Sequence, residues 1–171
     1  EVCQIDWGNT SITKKSYIQQ GYPAYSATGQ DGFLPNFEHD REGIILSAIG
    51  AHCGKCFWAE GQWTAIKNTI VIKAKDFKEI DLKFLFYLLN DENFWRRSGV
   101  AQPFITLKTA RNSKIPLPPF AEQKRIVGIL EEADLLRKLN KQAGVRLDEL
   151  FSNLLHRLFN PEKYAKNKNK T

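Results

Sequence analysis

The chain has 171 residues, 42% apolar and 26% charged, with 25 Lys and Arg against 19 Asp and Glu and only three Cys. These proportions exclude a globally disordered chain, and no apolar run reaches the roughly 18 residues a membrane helix needs. Three cysteines are too few for a disulfide scaffold and fit a reducing, cytoplasmic setting. The opening EVCQIDWGNT has neither the basic start nor the apolar stretch of a signal peptide. The chain contains no Met, so residue 1 is not an untouched initiator and the native start is expected upstream. The net charge of +6 is uneven: residues 1–119 carry 14 basic and 12 acidic side chains, and residues 120–171 carry 11 and 7. The first part is therefore no uniform basic surface, and any binding to a polyanion there depends on placed residues.

Glycines at 8, 21, 29, 32, 43, 50, 54 and 61 punctuate the first part at a spacing suited to turns between short strands. Residues 43–50 (GIILSAIG) predict a buried strand, and residues 69–74 (TIVIKA) a second one rich in β-branched side chains. Residues 81–97 predict a helix. Leu82, Leu85, Phe86 and Leu89 mark its apolar face, Asp81 its N-cap and Ser98-Gly99 its stop. Residues 104–107 predict another short strand. Residues 115–119 (IPLPP) read as a hinge, because proline forces extended geometry on the residue before it and bars a helix until the prolines end. Pro119 is expected at the start of the next helix and Glu122 in its first turn, facing the positive end of the dipole.

Residues 120–159 contain no proline, and their apolar positions step by three and four. Ile126, Ile129, Ala133, Leu136, Asn140, Ala143, Leu147, Leu150 and Leu154 form a heptad seam with one polar member. A helix of that length extends about 60 Å, more than a head of about 119 residues covers, so part of the stripe is expected to meet another chain. Asn140 at a seam position would select register and partner number at some cost in stability. Gly128 and Gly144 each cost about 1 kcal/mol against Ala in a helix. The expected architecture is an α+β (mixed α/β) head over residues 1–119, a long C-terminal α-helix over 120–159 forming an antiparallel coiled coil, and a basic, frayed tail over 160–171.

Chemical motifs are weak. Cys53 and Cys56 form a lone C-x-x-C beside His52. A zinc knuckle needs a second pair, which Cys3, His39 and His156 do not make, so the cysteines read as reduced and structural, with no metal site. Asp76, Asp81 and Lys83 faintly echo a nuclease cluster, but Asp81 is better used as a helix cap. LPPF at residues 117–120 lacks the Asn or Asp that an amino-methyltransferase needs where Leu117 stands. No nucleotide-binding glycine loop and no Ser/His/Asp arrangement stands out. Trp7, Trp58, Trp63 and Trp95 read as core in preference to base-stacking residues. No catalytic residue is assigned.

Residues 114–130, KIPLPPFAEQKRIVGIL, resemble the segment that leads each target-recognition domain of type I restriction–modification specificity subunits into a long spacer helix. Residues 42–55 (EGIILSAIGAHCGK), 65–72 (AIKNTIVI) and 99–107 (GVAQPFITL) resemble the upstream motifs of that family, in the same order. So does the stretch 8–32, with Tyr25 and Gly29. Family members usually carry two domain-plus-helix units, whereas this sequence has one PLPPFAEQ run and no internal repeat. It therefore reads as a half-size subunit or a fragment of a longer one, pairing with itself or forming half of a pseudo-symmetric subunit.

The resemblance implies a non-catalytic subunit that reads a half-site of a bipartite duplex. It also implies partners: a modification methyltransferase subunit and a restriction subunit that can join it, with S-adenosylmethionine, ATP and Mg held on those partners and no cofactor here. The chemistry of groove readout makes Lys14, Lys15, Ser26, Thr28, Gln30, Lys55, Lys67, Asn68, Lys108 and Arg111 the candidate DNA contacts, as a set. The alternative is a coiled-coil interaction module without sequence-specific DNA binding.

Overall fold

The computed structural model describes residues 2–91, 93–99 and 101–159; the predicted basic tail at 160–171 lies outside them. The described elements are β1 (Cys3–Trp7), a 3-10 turn (Lys14–Ser16), β2 (Tyr22–Ser26), β3 (Gly29–Leu34), β4 (Gly43–Ser47), β5 (Cys56–Ala59), β6 (Thr64–Ala65) and β7 (Thr69–Ala74). They continue with α1 (Leu82–Leu89), α2 (Leu107–Asn112) and α3 (Phe120–Phe159). The chain divides into two compact units, one up to Val127 and one from Gly128 onward.

In the first unit, an antiparallel sheet runs in the order β1-β7-β4-β5, and a smaller sheet in the order β3-β2-β6. Every residue of β4 is buried, because both faces of that strand are covered. Ile44 and Leu46 join Ile70 and Ile72 under α1, against Leu82, Leu85 and Leu89. Ile45 points the other way, to Val71, Ala59 and Trp63. The aliphatic run Ile44-Ile45-Leu46 thus serves two cores by the period-two alternation of a strand. Each of these aliphatic side chains contributes about 1.5–3 kcal/mol by leaving water.

Several predicted boundaries move for local physical reasons. The strand expected to reach Gly50 stops at Ser47; Ala48 then takes the Asn68 carbonyl with its N–H and gives its own carbonyl to Ile105 (3.0 and 2.8 Å). The helix expected over 81–97 begins as predicted, with the Asp81 carboxylate accepting from Lys83 and Phe84 N–H, but it ends at Leu89. Its last carbonyl is claimed from outside: the Leu89 oxygen accepts from the Trp95 indole (2.8 Å) and from the Cys56 thiol (3.3 Å). The Asn90 side chain also turns away, to accept from the Cys56 N–H at 2.9 Å. The helix therefore falls eight residues short of its expected end at 97.

The strand expected at 104–107 is a single bridged residue, Phe104. Thr106 instead caps α2, its hydroxyl accepting from the Thr109 N–H at 3.0 Å. Pro119 stands one place before its expected position: its carbonyl accepts from Glu122 and Gln123 N–H, so it caps α3 and the helix starts at Phe120.

The helix α3 spans 40 residues without interruption. Only Gln123 and Val127 on it are buried, both within the first compact unit. Ile126 is half-buried against the same core. Beyond that point the predicted seam is open: Ile129, Leu136, Leu147, Leu150 and Leu154 are 48–66% exposed, and Ala133, Asn140 and Ala143 are exposed too.

Candidate nucleic-acid interface

β1 and β4 finish, and β5 and β7 begin, at one end of the larger sheet. The loops there are stitched together by the backbone. Ser47 N–H donates to the Lys55 carbonyl (2.8 Å) and Ala48 N–H to the Asn68 carbonyl (3.0 Å), so Lys55 and Asn68 flank the end of β4. The turn before β7 needs a left-handed residue, and Asn68 supplies it at φ 69°. Asn adopts that region at lower cost than most side chains. The Thr69 hydroxyl closes the turn by donating to the Ile66 carbonyl at 2.6 Å.

Beside this turn, Thr13, Lys14 and Lys15 from the 3-10 segment, Ser26, Ala27 and Thr28 from the β2–β3 turn, and Ile66, Lys67 and Asn68 line one open groove. Lys14, Lys15, Ser26, Thr28, Lys67 and Asn68 of the predicted set therefore meet in one place. Lys15, Thr28, Lys67 and Asn68 are exposed there. Ser26 is a correction to the predicted set: at 4% exposed it cannot reach a ligand, and its hydroxyl braces the groove from behind. Lys55 sits over the Phe57 ring, 5.6 Å from its centroid. The same ring packs on Gly29, next to the exposed Gln30.

Two predicted residues stand elsewhere. Lys108 lies in a separate depression with Arg96, Lys114 and Asn112. Arg111 is used structurally, its Nε donating to the Ile5 carbonyl (2.9 Å) and its Nη2 to Asp6 Oδ1 (2.7 Å). β1 is an edge strand, and this guanidinium covers its open side.

Sequence reasoning missed Asp31, which anchors the groove. Its Oδ2 accepts from the Lys14 ammonium and from the Ser26 and Thr28 hydroxyls at 2.6 Å each, and its Oδ1 accepts from the Tyr17 hydroxyl at 2.7 Å. Burial pushes this carboxyl upward, but the four donors outweigh it and bring it down to about 2. Tyr17 reaches it across Gly32, where a Cβ would stand 2.0 Å from the ring. A search of the sequence for hydrogen-bond donors alone cannot find an acceptor hub. Glycine at 32 beside an aspartate in a β2–β3 hairpin was the available signal.

The discounted motifs find structural uses. Cys53 donates to the Ala48 carbonyl (3.4 Å), and Cys56 to that of Leu89. Among the described residues no group of His, Cys, Asp and Glu is arranged to hold a metal ion. Asp76 accepts from the Lys78 N–H (2.8 Å), and Asp81 caps α1. Trp63 and Trp95 are buried, whereas Trp7 is 41% exposed and Trp58 is half-buried, under the Lys83 ammonium at 4.2 Å.

The described residues thus define an α+β head with a cation-lined groove, followed by a long helix with an open apolar stripe; no helix among them is long and apolar enough to cross a membrane. Residues 1–147 match the family described as "Type I restriction modification DNA specificity domain", and the chain belongs to that family. It is 30% identical over 154 residues to the type I restriction enzyme MjaVIII specificity subunit of Methanocaldococcus jannaschii, covering 82% of this chain and 36% of that protein. It is 27% identical over 124 residues to the EcoprrI specificity subunit of Escherichia coli, covering 72% and 30%. The chain thus spans about a third of the length of the curated relatives it matches.

Its fold is similar to the S subunit of the M. genitalium type I restriction–modification system, with a TM-score of 0.61 and 20% identity, over 78% of this chain and 37% of that one. It is also similar to a chain from a structural study of complex assembly and conformational transition in the type I R-M system, with a TM-score of 0.69 and 21% identity, over 90% and 41%.

Proposed function

We propose that this chain is the DNA-reading unit of a type I specificity subunit and addresses one half-site of a bipartite duplex target. The observation that carries this reading is the convergence of Lys15, Thr28, Lys67 and Asn68 in one groove, on a chain whose first 147 residues match a DNA specificity domain. Cations at the rim suit backbone phosphates, and Asn68 and Gln30 carry the paired donor and acceptor that suit adenine. Lys55 extends the cationic rim along the end of the sheet.

The helix α3 serves as the spacer. Its open stripe, Ile129 to Leu154, pairs antiparallel with an equivalent helix from a second copy or from the other half of a longer subunit. Its length of about 60 Å limits the two heads to a separation of about 18 base pairs. Pairing with a second copy would impose an inverted-repeat target. The methyltransferase and restriction subunits bring S-adenosylmethionine, ATP and Mg, and this chain makes and breaks no bonds.

The test is co-expression with a type I modification methyltransferase subunit from the same source, followed by mapping of methylated adenines. The expected result is methylation at one bipartite sequence, abolished by Lys15→Glu with Lys67→Glu. Methylation that survives this pair, or methyl transfer by the purified chain alone, would overturn the proposal.

A further inference from the structure

We propose that Asp31 is the positioning residue of the groove, fixing the β2–β3 turn for base readout and withholding Lys14 from the phosphates. The inference rests on the DNA-reading function proposed above. Two chain segments converge on this one carboxylate: Lys14 and Tyr17 from the 3-10 segment and its exit, and Ser26 and Thr28 from the hairpin turn. The Thr28 N–H donates to the buried Ser26 oxygen at 3.2 Å, so the backbone of the turn is held as well as its side chains.

The consequence is electrostatic. A cation already paired with a fixed carboxylate and bonded to the Thr28 hydroxyl at 3.3 Å releases no counterion on meeting a phosphate. Lys15 and Lys67, with no carboxylate partner among the described residues, remain to do so. A carboxylate at the back of the groove also repels phosphates that approach without the correct fit. Non-specific binding is thereby kept weak while the turn stays ordered, which raises discrimination more than affinity.

The experiment uses the full chain and two duplexes: one selected by the wild-type protein from a random pool, and a scrambled duplex of the same length and composition. Dissociation constants are measured across a salt series. Lys15→Gln and Lys67→Gln should each reduce the slope of log K against log salt by about 0.9. Lys14→Gln should weaken discrimination and leave the slope as it was. Asp31→Asn, which keeps the shape and one acceptor oxygen, should free Lys14. It should raise the slope by about 0.9, tighten binding to the scrambled duplex and cut discrimination by about tenfold. Adding Lys14→Gln to Asp31→Asn should restore the wild-type slope.

A loss of slope in Lys14→Gln alone would show Lys14 already on a phosphate and overturn the inference. Equal weakening on both duplexes by a folded Asp31→Asn protein would show a role in stability only, and would overturn it as well. Should Asp31→Asn fail to fold, the Lys14→Gln slope decides by itself. A wild-type protein with no preference between the duplexes would instead refute the DNA-reading function, and the inference with it.

Discussion

Gln123 is fully buried at the start of a helix whose other residues are mostly wet, and it accounts for a polar letter in the PLPPFAEQ run. Its Oε1 accepts from the Asp81 N–H (2.8 Å), and its Nε2 donates to the carbonyls of Glu79 (3.0 Å) and Pro118 (2.9 Å). One amide therefore ties the cap of α1 to the start of α3. Gln123→Leu keeps much of the volume and leaves three backbone groups unpaired, so it should lower unfolding free energy by about 3 kcal/mol in urea titrations. Acid should act on two other residues. Burial first, and then the Lys73 ammonium 2.8 Å from Nδ1, hold His39 down to about 4. The unfolded ring takes its proton near pH 6.5, so stability is complete above that value and falls as pH drops toward 4. Asp31 adds a lower window: it is ionised to about pH 2 in the fold and to about 3.9 unfolded. Its stabilisation is present above about pH 4 and is lost toward 2. Urea midpoints across this range should show both declines, with His39→Gln removing the upper one and Asp31→Asn the lower.

At the level of elements, α1 stops where Trp95 and Cys56 take the Leu89 carbonyl, so the C-x-x-C pair belongs to packing. Burial pushes the Cys56 thiol up to about 12 and the Cys3 thiol to about 11, and Cys53 is 1% exposed. Alkylation is a reaction of the thiolate. Iodoacetamide should therefore label none of the three in the native protein within the time that labels all three in urea, and rapid native labelling of Cys56 would refute the packing role. The same contacts mark what the sequence could and could not disclose. The span of α3 was legible because forty proline-free residues repeat every three and four, and β4 and β7 because their β-branched runs are short and bounded. The end of α1 was not, since the indole that ends it arrives from outside any helical period. Nor was the α2 cap, where Thr106 outweighs the β-propensity of Phe104 and Ile105. Lys14, Lys15, Lys67 and Asn68 could be named by their donor chemistry, and folding brings these four to one groove. Arg111 was not separable from them, because its partner Ile5 lies at the far end of the head's sequence.

For the molecule as a whole, the open stripe on α3 is the feature a lone chain leaves unresolved. Ile129, Leu136, Leu147, Leu150 and Leu154 recur at seam spacing and are each about half or more exposed, and α3 beyond Val127 has no buried residue. Water contact along such a stripe is unfavourable by about 25 cal/mol per Å², which favours association once a second stripe is available. Charges placed on the seam reverse that balance, and residues 128–159 belong to a compact unit other than the head's. Leu136→Lys with Leu147→Lys should therefore convert a self-associating protein to monomers in sedimentation equilibrium while the melting of the head is unchanged. Asn140 supplies the complementary test. It occupies a seam position and is exposed in the single chain, so in a paired seam it would be buried and would select one register. Asn140→Leu should tighten association and admit more than one register, seen as a raised melting temperature of the assembly and as mixed cross-links between cysteines placed along the helix. An unchanged mass in the double lysine variant, together with no shift in Asn140→Leu, would place the seam in solvent and remove the spacer role from α3.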